Sequence, residues 1–85
     1  MKTHNIKIRK KFADEVVARR KTFEIRINDR NYHRGDIIRF QAVDNKTGIP
    51  IGHKINHQKW CITYLLSGWG LEPGYVAFSI KEITK

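Results

Sequence analysis

Apolar and polar positions alternate along much of this chain, and the runs of alternation mark out its strands. His4 to Arg9 reads His-Asn-Ile-Lys-Ile-Arg, so Ile6 and Ile8 sit between polar neighbours at the two-residue period of a half-buried strand. Phe23, Ile25 and Ile27 alternate with Thr22, Glu24, Arg26 and Asn28 in the same way. That period predicts a strand over 22–28 with Phe23, Ile25 and Ile27 facing a core and Thr22, Glu24 and Arg26 sharing the opposite face. Ile37 to Val43 predicts another, with Ile38, Phe40 and Ala42 on one side. Trp60 to Leu66 places Trp60, Ile62, Tyr64 and Leu66 on one face, and Tyr75 to Ile83 closes the chain with Val76, Phe78 and Ile80 alternating.

Between 10 and 20 the period changes. Phe12, Ala13, Val16 and Val17 form a stripe on one side of a helix. Asp14 and Glu15 are expected towards its beginning, and Arg19, Arg20 and Lys21 at its end, where cations suit the helix dipole. No Ser, Thr, Asp or Asn occupies the expected N-cap. Asp29-Arg30-Asn31 and Asp44-Asn45-Lys46-Thr47-Gly48 read as turns, and Ser67 to Gly74 as a glycine-rich loop. Pro50 and Gly52 argue against helix over 49–58, which is expected to be a loop or an edge strand. The pattern predicts a single α+β domain over 1–85: a small mixed β-barrel of five to six strands with one main helix.

Composition narrows the function classes. A chain of 85 residues buries only ~60% of its unfolded surface, so its core is modest. The start, Met-Lys-Thr-His-Asn, is polar, and no apolar run approaches the ~18 residues of a membrane span, so neither a signal peptide nor a membrane is expected. The single cysteine, Cys61, excludes an internal disulfide and fits a reducing cytoplasm. The net charge of +9 is uneven. Residues 1–40 carry twelve Lys or Arg against five acids, and residues 41–85 five against three. A basic first half implies an anionic partner, nucleic acid foremost, although basic charge also serves plain solubility.

Lys21, Glu24 and Arg26 stand out within that half. Glu24 and Arg26 lie two residues apart on a strand, roughly 6.5–7 Å between Cα atoms, and Lys21 just precedes them. As a surface ion pair they would contribute at most ~1 kcal/mol. As a site, Lys21 and Arg26 would hold a phosphate or a base carbonyl while Glu24 accepts from a base amino group. Arg19, Arg20, Arg30 and Arg34 would form an electrostatic rim. Trp69, between two glycines, either stacks on a base, typically for ~1–3 kcal/mol, or folds back as a lid. Tyr32 and His33, between Arg30 and Arg34, suit RNA contacts or a solvated turn. His53, His57 and Cys61 recur every four residues, but in extended chain each step spans about 13 Å, too far for one ion. No metal or cofactor is expected, and Cys61 reads as a half-buried thiol.

Lys21-x-x-Glu24-x-Arg26 resembles the signature of ASCH domains, small β-barrels related to PUA domains. With Arg20-Lys21-Thr22-Phe23-Glu24, Asn28-Asp29-Arg30, Gly35-Asp36, Thr63-Tyr64 and Ser67-Gly68-Trp69-Gly70-Leu71, nearly the whole chain is similar to a small ASCH-like family of bacterial and phage proteins. The resemblance implies a PUA-like barrel whose cleft, lined by Lys21, Glu24 and Arg26, takes RNA or a modified nucleoside. ASCH domains usually carry glycine two residues before the signature lysine. Here that residue is Arg19, so the turn forms without glycine's easy access to positive φ. One ASCH branch hydrolyses an N-acetylated cytidine with a lysine, a threonine three residues later and a distant glutamate. Glu24 stands at the threonine position, Thr22 does not align with it, and Glu72 and Glu82 are the glutamates downstream.

The expectation is therefore a monomeric RNA-binding or nucleotide-binding module rather than an enzyme. The alternatives are a hydrolase in the same cleft, with Lys21 and Glu24 as acid and base, and a basic adaptor for an acidic protein.

Overall fold

The structure, a computed structural model, describes residues 1–84. It is a small α+β domain in which five strands form one curled, half-barrel sheet and a single α-helix packs against it. The strands are β1 (Thr3–Arg9), β2 (Phe23–Ile27), β3 (Ile37–Val43), β4 (Lys59–Ser67) and β5 (Tyr75–Glu82), in the order β1-β3-β4-β5-β2. β1 runs parallel to β3 and every other pairing is antiparallel. β1 and β2 are thus the two free edges.

The core lies on the concave side, where the alternating residues of three strands converge. Ile6 and Ile8, Ile38, Phe40 and Ala42, and Val76, Phe78 and Ile80 are all buried there, as the alternation predicts. Helix α1 (Lys10–Val17) adds Ala13 and Val16 to this core, with Val17 partly buried and Phe12 left exposed. It is shorter than the pattern suggested. Arg19, Arg20 and Lys21 fall beyond its last turn, and Asp14 and Glu15 lie past its first. The missing N-cap is answered from a distance: Asn45 Oδ1 accepts the Lys11 N–H at 2.9 Å, satisfying one of the helix's free donors.

Two faces differ from expectation. On β4 a bulge between Ile62 and Tyr64 shifts the register, so Trp60 and Ile62 point into the core while Tyr64 and Leu66 point out. Leu65 turns inward instead. On β2 the alternation is real but inverted. Phe23, Ile25 and Ile27 are 47%, 52% and 54% exposed, and Glu24 is buried. β2 is an edge strand whose inward polar residues satisfy one another, so apolar burial does not dictate its facing. Edge strands commonly carry such inward-pointing charges.

Residues 49–58 are neither plain loop nor strand. Pro50 forms an isolated bridge with Val43, and Lys54–His57 make a short 3₁₀ helix that buries Ile55. His53 caps it, its Nδ1 accepting the Ile55 N–H at 3.1 Å, which leaves the ring proton on Nε2 to donate to Asp14 Oδ1 at 2.7 Å. Among the described residues no helix is long and apolar enough to cross a membrane.

Candidate functional site

The half-barrel does not close, and the seam between the β1 and β2 edges opens into a cleft of about 720 Å³. Register explains why the seam is polar. Ile80 N–H donates to Thr22 O at 3.0 Å and Asn28 N–H to Gly74 O at 2.8 Å. Thr22, Glu24, Arg26 and Asn28 therefore bond to β5, and the backbone groups of Phe23, Ile25 and Ile27 turn towards the open edge.

Glu24 is the centre of the cluster, its side chain only 6% exposed. Lys21 Nζ bonds to Glu24 Oε2 and also donates to Phe23 O at 2.6 Å. Arg26 Nε donates to Glu24 Oε1 at 2.9 Å, and its Nη2 reaches across the seam to Lys7 O at 2.5 Å. One carboxylate between two cations leaves the trio with a surplus positive charge. Lys21 also lies 5.0 Å from the Phe23 ring centroid and 5.6 Å from that of Phe12, within range of cation–π attraction. Tyr32 forms part of the inner wall. It is buried, packed between His4 and Phe78 at ring distances of 4.7 and 4.9 Å. Burial pushes its hydroxyl above the usual value, while Arg26 and Arg30 pull the other way.

The sequence-predicted residues divide by position. Lys21, Glu24, Arg26 and Arg30 line the cleft. Arg19 faces a second, smaller cavity, where it pairs with Glu82 and lies over the Trp60 ring at 5.7 Å. Its φ of 66° puts it in the left-handed region at the position where the resemblance led us to expect glycine. Arg20 is paired with Glu15 at 2.7 Å, away from the seam, and Arg34 lies exposed in a turn. Trp69 is 88% exposed, so it is not folded onto the core, and it does not line the cleft. Its hairpin loop is tied to the end of β2 by the Asn28–Gly74 hydrogen bond. Of the downstream glutamates, Glu82 is held by Arg19 and Glu72 is exposed in that loop. His53 is held by Asp14 and the Ile55 N–H, whereas Cys61 Sγ donates weakly to Ile62 O at 3.6 Å.

Two features escaped the sequence. Lys7 and Arg9 on β1 also line the cleft, a placement that follows only from knowing that β1 faces β2. His4 and Asp36 form a buried pair at 2.8 Å behind Tyr32. Asp36 also accepts the Lys2 and His33 backbone N–H groups at 3.1 and 3.0 Å. Burial pushes its carboxyl up, but the His4 hydrogen bond and the two backbone donors outweigh that and hold it below its usual value.

Fold and site together define a small half-barrel with a cationic, partly aromatic cleft at its open seam. The chain belongs to the family described as domain of unknown function DUF3850, whose model matches residues 3–80. No curated protein matches it.

Proposed function

We propose that the domain is an ASCH-like, PUA-like module that binds single-stranded RNA or a nucleotide-like ligand in the seam cleft. The observation that carries this reading is the convergence of Lys21 and Arg26 on the buried Glu24 inside a cleft whose other charged walls, Lys7, Arg9 and Arg30, are cationic apart from Asp29. Arg26 uses Nε and Nη2 within the protein and keeps Nη1 for a ligand oxygen. Lys21 has three donors and uses two acceptors. The exposed rings of Phe12 and Phe23 offer faces on which a base can stack. Binding suits this arrangement better than catalysis. Both Glu24 oxygens already accept hydrogen bonds from cations, so proton abstraction would first require one of them to leave.

The test is a salt titration of binding to short single-stranded RNA, comparing the native chain with Lys21→Ala/Arg26→Ala. Phosphate contacts lower log K with log salt by ~0.7 each on single strands. Loss of affinity beyond two such contacts in the double variant supports recognition in the cleft. Equal binding by both proteins, or by neither, defeats the reading. Turnover of an acylated nucleoside that Lys21→Ala abolishes would replace it with the hydrolase.

A further inference from the structure

The convex face of the sheet carries a second apolar feature, which shares Phe23, Ile25, Ile27 and Tyr75 with the rim of the seam cleft and extends away from it over Tyr64, Leu66 and Ala77. The cross-strand register sets Phe23, Ser79 and Tyr64 in one row and Ile25, Ala77 and Leu66 in the next, with Ile27 beside Tyr75. Small residues on the central strand β5 are thus flanked by large apolar ones on both sides. Phe23, Ile25 and Ile27 form one wall, Tyr64 and Leu66 the other, and Ser79 and Ala77 the floor. The wall residues are 37% to 61% exposed, and this is the side of the sheet away from the core. A contiguous exposed apolar surface of this kind marks an interaction site more often than chance.

The groove's shape selects its occupant. Its walls stand two strand spacings apart, about 9.5 Å, and Phe23 to Ile27 spans roughly 13 Å. An α-helix, about 10–12 Å across with its side chains, is too wide to sink between the walls but lays its apolar stripe along them over the small floor residues, and that length receives between two and three of its turns. An extended peptide finds no backbone partner on the groove floor, because β5 is bonded on both sides, and the free edge of β2 faces the seam instead. Charge selects further. Continuing along the same face, Lys81 lies beside Cys61, and Lys59 beside Arg39. A second copy of this chain, itself +9, would set those cations against their like. Phe23, Tyr64 and Tyr75 offer aromatic faces at the ends of the groove, but its middle, Ile25, Ala77 and Leu66, is aliphatic and gives a nucleic-acid strand neither stacking nor phosphate contacts. We infer that this groove docks an amphipathic helix of a partner protein, apolar on one stripe and acidic beside it.

The first probe is a synthetic amphipathic helix of Leu and Glu, roughly 20 residues so that it holds its fold, with a Leu/Lys peptide of the same pattern as control. Amide chemical shifts of the labelled protein are followed during titration. The Leu/Glu peptide is expected to move Tyr64, Leu66, Ala77 and Ser79, which do not line the seam cleft, and to leave Lys7, Arg9 and Arg30, which do, in place. Ala77→Leu, which fills the floor with an apolar side chain, should weaken it at least about tenfold. Leu66→Ser should do the same through the wall that the cleft does not share, and a thermal melt of each variant checks that it folds. Absence of binding, equal binding of the Leu/Lys peptide, or shifts outside the groove overturns the inference. So does a concentration-dependent dimer, or single-stranded RNA, that moves the same resonances.

Discussion

Arg26 and Glu24 meet at 2.9 Å on the concave side of an edge strand, and the same guanidinium spans the open seam to the Lys7 carbonyl. The pair therefore does two things at once: it neutralises a buried carboxylate and ties β2 to β1 where no backbone ladder joins them. Removing Arg26 leaves Glu24 with Lys21 alone and unties the seam. Arg26→Ala is expected to cost about 1–3 kcal/mol, more than an exposed pair and less than a fully buried one. Arg26→Lys should recover only part of this, since an ammonium cannot reach Glu24 and Lys7 together in a forked geometry. Urea denaturation of the two variants measures both, and an Arg26→Lys protein as stable as the native one contradicts the bridging role.

The alternation of β2 was legible in the sequence, but its facing was not. A two-residue period says that the two faces differ; it does not say which one is covered. On β3 and β5 covered neighbours on both sides decide the matter in favour of apolar burial. On β2, an edge, Glu24 and Arg26 go inward because Lys21 and the Lys7 carbonyl satisfy them there, and the apolar trio is left outside. The bulge at Thr63 hid the facing of Tyr64 and Leu66 for a related reason, since one extra residue inverts everything after it. Tyr32, in a polar turn, had no periodicity to mark it as core. The cluster Lys21, Glu24, Arg26 was legible because all three residues lie within one short segment. Lys7 and Arg9 were not, because they join the cleft through topology.

Arg19 occupies the left-handed region at φ 66°, which costs an L-residue roughly 1–2 kcal/mol. Its side chain partly offsets this through Glu82 and the Trp60 ring. Arg19→Ala and Arg19→Gly both remove those contacts, but only glycine relieves the backbone. The glycine variant is expected to be the more stable of the two by about 1 kcal/mol, even though glycine enlarges the unfolded ensemble. Thermal melts of the two side by side settle it, and a more stable alanine variant would deny that the backbone is strained.

Asp36 is the buried one among the carboxylates held below their usual value, and it contributes to the acid sensitivity of the fold. Its carboxyl is held below its usual value in the folded state, so folding binds fewer protons than the unfolded chain at low pH. The stabilisation is complete above the unfolded value of about 4 and disappears as pH falls through the lower folded value. Asp36→Asn, which keeps one oxygen for the Lys2 N–H but sets an NH2 group against the His4 and His33 donors, should be destabilised by about 1–3 kcal/mol near neutrality. Between pH 5 and pH 2, roughly, the native curve should fall towards that of the variant. Parallel curves across that window would show that another carboxylate governs acid unfolding.

Arg30 and Arg20 carry the same charge but differ in place: Arg30 lines the cleft, and Arg20 is paired with Glu15 outside it. If overall charge alone attracts RNA, Arg30→Ala and Arg20→Ala weaken binding alike. If the cleft holds the strand, Arg30→Ala lowers the salt slope by ~0.7 and Arg20→Ala leaves it within error. Lys7→Ala should follow Arg30→Ala, because β1 supplies the opposite lip of the seam, while its backbone carbonyl still accepts from Arg26. Affinity measured at several salt concentrations for the three variants separates the cases. An Arg20→Ala slope reduced as far as that of Arg30→Ala would move the RNA off the seam and onto the basic surface at large.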